Sequence, residues 1–132
     1  MLIYLVVLDG VFDIGLAALM DVIGTAKELI PLDQGSVQLD IRLVGVRRKV
    51  HTAHGLTVPV QLAAELADQS PDFVLIPALG AKMPLQLVES LSRSDVKDVA
   101  VWIKKWQSAG ACVGAACTGT FVLAETGLLN GL

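Results

Sequence analysis

Gly110-Ala-Cys-Val-Gly-Ala-Ala-Cys117-Thr-Gly-Thr-Phe-Val-Leu-Ala-Glu125 runs from small and apolar residues straight into a cysteine, and an apolar helical pattern follows without a loop. An α/β fold presents a side chain in this way at the tip of a strand, where the next helix begins. Ala115-Ala116-Cys117-Thr118-Gly119 has the spacing of a nucleophile elbow: small residue, any residue, nucleophile, any residue, glycine. The demand is steric. A strand that reverses sharply into a helix strains the central residue, and bulk two positions away would clash. At a helix N-terminus the macrodipole and unbonded N–H groups favour a thiolate. The Thr118 amide points toward a developing oxyanion, and the Ala78–Leu79 loop offers a second amide. The bland alternative is a buried cysteine packed as a small hydrophobe.

Working outward, Leu2–Leu8 is a continuous apolar run of the kind that forms a strand buried on both faces. Asp9-Gly10 turns out of it, and Asp13 reads as the N-cap of a helix extending to about Ile30. Leu16, Leu19, Ile23 and Ala26 draw its core-facing stripe. Val37–Val46 is a second strand, and Lys49–Val60 reads as an edge hairpin around Gly55 and Pro59. A short helix at Leu62–Ala67 precedes the central strand Phe73–Pro77, which opens into Ala78-Leu79-Gly80. Helices at Pro84–Leu91 and Asp95–Ser108 follow, with Val96, Val99, Ile103 and Trp106 on the buried side of the second. Gly110 ends that helix as a C′ residue before the elbow strand.

Such alternation gives an open, mostly parallel sheet with helices on both faces, and ligands in such folds bind beyond the C-terminal strand ends. Those ends carry Asp9-Gly10, Ala78-Leu79-Gly80 and Cys117-Thr118, which converge on one crevice. The chain has 132 residues and reads as a single domain over 1–132.

Composition narrows the function classes. Apolar residues make up 54% of the chain and the mean hydropathy is +0.65, yet no apolar run is long enough to span a bilayer. Excess apolarity of this kind points to a two-sided parallel sheet, a subunit interface or missing partner structure. The net charge is −3, and the one basic cluster, Arg47-Arg48-Lys49, reads as a solvated strand end rather than a nucleic-acid surface. Cys112 and Cys117 fall on opposite faces of one strand–turn unit, so reduced thiols in the cytoplasm are expected rather than a disulfide. A Cys-x4-Cys pair is a poor zinc signature, and His51 and His54 read as loop or strand histidines, so neither metal nor cofactor is expected.

The strand with Leu8-Asp9-Gly10, the Val74-Leu-Ile-Pro77-Ala-Leu-Gly80 segment and Cys117-Thr118-Gly119 together resemble the PfpI/ThiJ superfamily. The run Ala116–Gly131, with Trp102-Ile103-x-x-Trp106 and Gly110 upstream, resembles one branch more specifically. That branch is the N-terminal sensor of AraC-type transcriptional regulators. The resemblance implies a three-layer, flavodoxin-like fold of the class I glutamine amidotransferase type. It also implies a pocket at Gly10, Asp13, Gly15, Ala78, Leu79, Gly80, Cys117 and Thr118 for a small-molecule effector.

Two departures from the family bear on function. Catalytic members carry an acidic residue early in the first helix that hydrogen-bonds the nucleophilic thiol, and the corresponding position here is Gly15. They also use a histidine beyond the elbow, and none follows Cys117. The chain is therefore expected to be a fragment whose DNA-binding helix-turn-helix region lies outside it, and to form a homodimer. Three readings stand open. They are an effector-sensing domain, a cysteine-dependent hydrolase, amidase or aldehyde-processing enzyme with Cys117 as nucleophile, and a redox switch through Cys117.

Overall fold

A computed structural model describes residues 1–31, 33 and 35–132. The elements are β1 (Leu2–Val6), α1 (Asp13–Leu29), β2 (Asp40–Gly45), β3 (Val50–His51), β4 (Thr57–Val58), β5 (Gln61–Leu62), β6 (Phe73–Ile76), α2 (Pro84–Leu91), α3 (Ser94–Ser108), β7 (Cys112–Ala115) and α4 (Gly119–Glu125), with a 3₁₀ turn at Ala63–Leu66. Five strands form one parallel sheet in the order β5-β2-β1-β6-β7.

The apolar run of β1 explains its central place. Successive side chains point to opposite faces of a strand, so both faces of this one must be covered. Tyr4, Val6 and Leu8 join Val74, Ile76, Val99, Ile103 and Trp106 in the core beneath α3 and α4. Ile3, Leu5 and Val7 face the other way, against Leu16, Leu19 and Ile23 of α1. Each such side chain contributes about 1.5–3 kcal/mol by leaving water. The result is a three-layer α/β sandwich, the flavodoxin-like arrangement.

Three local readings are corrected. Asp13 is the first residue of α1, not its cap: Phe12 occupies the N-cap position without a side-chain cap bond. The Lys49–Val60 hairpin exists as β3–β4, but it does not extend the edge of the main sheet. It lies across the strand tips, because Val50 and Val58 are apolar and find cover against the α1-side core. Backbone bonds from Gly10 N–H to His51 O (2.8 Å) and from Ala53 N–H to Val11 O (2.8 Å) fasten it there. The edge is instead Gln61–Leu62, paired with Val44 and Gly45, and the expected helix after it is a single 3₁₀ turn.

Candidate functional site at the strand tips

Cys117 follows β7 with φ at 51°, and no other non-glycine residue described has positive φ. A left-handed conformation costs a residue with a Cβ roughly 1–2 kcal/mol. The local sequence holds it there. Gly119 N–H donates to Ala116 O (2.9 Å) and Thr120 N–H to Cys117 O (3.1 Å), closing the turn into α4. Gly119 has to be glycine, since a Cβ would collide with Ile76 O and sit 2.6 Å from Pro77 O. The elbow is therefore built by close approach of α4 to the end of β6, and it leaves the Cys117 side chain exposed.

The loops after β1, β6 and β7 are bonded to one another. Phe12 N–H donates to Ala78 O and Gly80 N–H to Gly10 O, both at 2.8 Å. Thr118 Oγ1 accepts from Leu79 N–H and donates to Leu79 O, both at 3.0 Å. Gly10, Ala78, Leu79, Gly80, Cys117 and Thr118 thus lie in one connected rim. Gly15 faces the same rim from α1, where a Cβ would lie 3.7 Å from that of Ala78 and 3.3 Å from the Phe12 ring.

These bonds decide which donors remain. The Leu79 amide, expected as the second oxyanion donor, is occupied by the Thr118 hydroxyl, and the Gly80 amide is occupied by Gly10 O. Among the described residues no side chain hydrogen-bonds Cys117 Sγ. What the arrangement offers chemically is an exposed thiol on a rigid turn, beside an apolar cleft of about 380 Å³ whose walls include Leu87, Leu91, Phe121 and Thr118.

Asp13 sits beside the rim with its carboxylate engaged. Oδ2 accepts from Thr52 Oγ1 at 2.5 Å, and Oδ1 accepts from His54 N–H at 3.2 Å and lies 2.9 Å from His54 Nδ1. The Thr52 hydrogen bond, followed by those of His54, holds this carboxyl below its ordinary value despite partial desolvation. His51 lies nearby, its Nδ1 3.8 Å from Asp9 Oδ1. The pairing of Asp13 with His54 had no short-range signal, because 41 residues separate the partners. Arg93, 84 residues from Asp9, is likewise carried to the rim by the fold, where it donates to Asp9 O at 2.8 Å. Among the described residues no group of three or more His, Cys, Asp or Glu side chains is placed to hold a metal ion. No described helix is long and apolar enough to cross a membrane.

Comparison with solved structures shows the same fold across several proteins. An AraC family transcriptional regulator from Pseudomonas putida superposes with a TM-score of 0.72 at 18% identity, covering 98% of this chain and 62% of that one. Toxoplasma gondii DJ-1 in its oxidized form superposes at 0.71 with 17% identity, covering 98% and 63%. A Vibrio parahaemolyticus protein provisionally described as a transcriptional regulator gives 0.71 and 18%, covering 98% and 63%. The chain thus spans less than two thirds of the length of these proteins. No curated protein sequence matches it. The sequence profile of the DJ-1/PfpI family matches residues 1–132 from end to end, and the chain belongs to that family.

Proposed function

We propose that residues 1–132 form a single effector-sensing domain of an AraC-type transcriptional regulator, and that Cys117 is a pocket residue rather than a catalytic nucleophile. The observation that carries this reading is the pair of hydrogen bonds between Thr118 Oγ1 and the Leu79 backbone. It engages the Leu79 amide, the donor that an oxyanion hole in this loop would draw on. Gly15, where catalytic relatives carry the acid, supports the same conclusion, as does the likeness to a solved AraC family regulator.

On this reading a small molecule occupies the strand-tip crevice and shifts the packing of the rim. The signal passes to a helix-turn-helix region outside this chain, in the cytoplasm, and DNA is contacted only there. Self-association as a homodimer fits the exposed Ile14, Val22 and Leu29 of α1.

The specific observation favouring an enzyme is the positive φ of an exposed Cys117, the geometry of an elbow nucleophile. The two readings separate by iodoacetamide labelling of a Cys112→Ser chain at about pH 6, where activated cysteines outpace ordinary thiols. The sensor reading expects Cys117 to label no faster than free cysteine. Labelling a hundredfold or more faster (on the order of an activated thiolate) would overturn it in favour of a cysteine-dependent hydrolase, amidase or aldehyde-processing enzyme.

A further inference from the structure

The basic run Arg47-Arg48-Lys49 is divided by the fold into three different environments. Arg48 turns away to Glu65 (2.6 Å). Arg47 is neutralised by Asp98 (2.7 Å), and its Nη2 also donates to Ser94 Oγ at 3.2 Å. Lys49 has no ion-pair partner among the described residues, and it lines a cleft of about 350 Å³ with Arg93, Ser94 and Asp9. Arg93 reaches this cleft from the start of α3. Its Nε and Nη2 hold the buried Asp95 at 3.0 Å each, and Nη2 also donates to Asp9 O. That leaves Nη1 without an acceptor among the described residues, 3.7 Å from where a Cβ of Gly10 would stand.

We propose that this cleft binds the oxyanion end of a small acidic ligand, a carboxylate or phosphate held by Lys49 Nζ, Arg93 Nη1 and the Ser94 hydroxyl. The argument is one of unspent donors. Asp95 fixes the Arg93 fork in place, so its outer nitrogen is preorganised and loses little entropy on binding. Lys49 supplies a charge that forms no ion pair among the described residues. Ser94 Oγ accepts from Arg47, which leaves its own proton for an acceptor. Two carboxylates line the cleft as well: Asp95 is paired with Arg93, and Asp9, whose Oδ1 accepts the His51 amide at 2.9 Å, keeps its charge, so an anion must sit on the Lys49 and Arg93 Nη1 side. Of the three basic side chains around the cleft, Arg47 is paired with Asp98 and Arg93 with Asp95, so Lys49 brings the one basic charge there without an ion-pair partner among the described residues. Because Arg93 Nη1 adjoins Gly10, an anion here marks one end of a ligand lying along the crevice. This deepens the sensor reading and rests on it: the effector is an acid.

The test is titration of the full chain with inorganic phosphate and, separately, with acetate at constant ionic strength. Binding is read by ³¹P line width for phosphate and by calorimetry for both. Saturable binding of either anion, absent with chloride, is the expected result, and the better of the two identifies the headgroup. Lys49→Met should weaken it about tenfold, the worth of one charge-assisted hydrogen bond, without changing the melting temperature, since Lys49 has no internal partner. Arg93→Lys is the second variant, and it too should weaken binding while keeping a positive charge near Asp95. No saturable binding of either anion, or equal affinity in wild type and Lys49→Met, overturns the proposal. The sensor reading fails separately: rapid Cys117 labelling with intact anion binding removes the sensor and leaves the anion site standing.

Discussion

Asp13 and His54 meet across the mouth of the strand-tip crevice, with Oδ1 of the first 2.9 Å from Nδ1 of the second. Thr52 binds the other carboxylate oxygen, and its hydroxyl in turn accepts the Leu56 amide at 3.0 Å. One carboxylate at the start of α1 therefore clasps two residues, Thr52 and His54, of the five-residue link from β3 to β4. The acid nearest the family's catalytic position is engaged in holding the hairpin down and makes no hydrogen bond to Cys117.

The clasp makes a pH prediction. The Asp13 carboxyl lies below its ordinary value of 3.8 in the folded chain, chiefly through the Thr52 hydrogen bond. A depressed folded pKa contributes stability that is present above the unfolded value and is lost as pH falls through the folded one. Melting temperature should fall below about pH 4, and Asp13→Asn should flatten that part of the profile. Thermal melts of both chains across the acid range check this. An unchanged slope in Asp13→Asn would show that the clasp carries no charge-linked stability.

The Thr118 hydroxyl gives the second prediction. Thr118→Val keeps the shape of the side chain but strips Leu79 N–H and Leu79 O of their partner. Leaving a half-buried donor unsatisfied costs about 1–3 kcal/mol. Urea unfolding should show a lower midpoint with an unchanged slope. A Thr118→Ser chain, which retains the hydroxyl, should recover most of the loss. If Thr118→Ser loses as much as Thr118→Val, the methyl packing and not the bridge fixes this loop.

How much of this was legible in the sequence depends on the range of the interaction concerned. The succession along the chain of β1, β2, β6, β7 and the four α-helices follows from apolar runs and their periods, which act over a few residues, whereas the two-residue edge strand β5 carries no such run. Leu2–Leu8 therefore announced a buried strand, and Gly119 announced a tight elbow, whose crowding against Ile76 and Pro77 the fold supplies. The hairpin was visible as a hairpin, but its place was not. Nothing local in Val50 or Val58 says that they pack on the α1-side core rather than at a sheet edge. The same limit hid the fate of the Leu79 amide, whose partner lies 39 residues away, and it made Asp13 read as a cap. A carboxylate at a helix start serves a cap or a distant turn equally well by spacing alone.

Tyr4 poses a different problem, because its hydroxyl is buried in β1 and has no hydrogen-bond partner among the described residues. Its ring packs edge-on against Trp106, with centroids 5.3 Å apart and planes at 79°. Tyr4→Phe keeps that packing and removes only a polar group whose desolvation nothing offsets. It should be neutral or stabilising by about 1 kcal/mol at neutral pH. Tyr4→Ala, by contrast, should cost about 3–5 kcal/mol through the cavity it leaves between sheet and α3. Burial, the largest cause, also raises the phenol above its ordinary 10.0. A raised folded pKa means that stability is fully present below the unfolded value and is lost as pH climbs through the folded one. The native chain should therefore weaken above about pH 10 more steeply than Tyr4→Phe, which has no phenol to ionise there. Denaturant midpoints of the two chains at neutral and alkaline pH measure both effects together. Should Tyr4→Phe prove markedly less stable at neutral pH, the hydroxyl has a partner in solution, and β1 carries a buried polar contact that the packing alone does not account for.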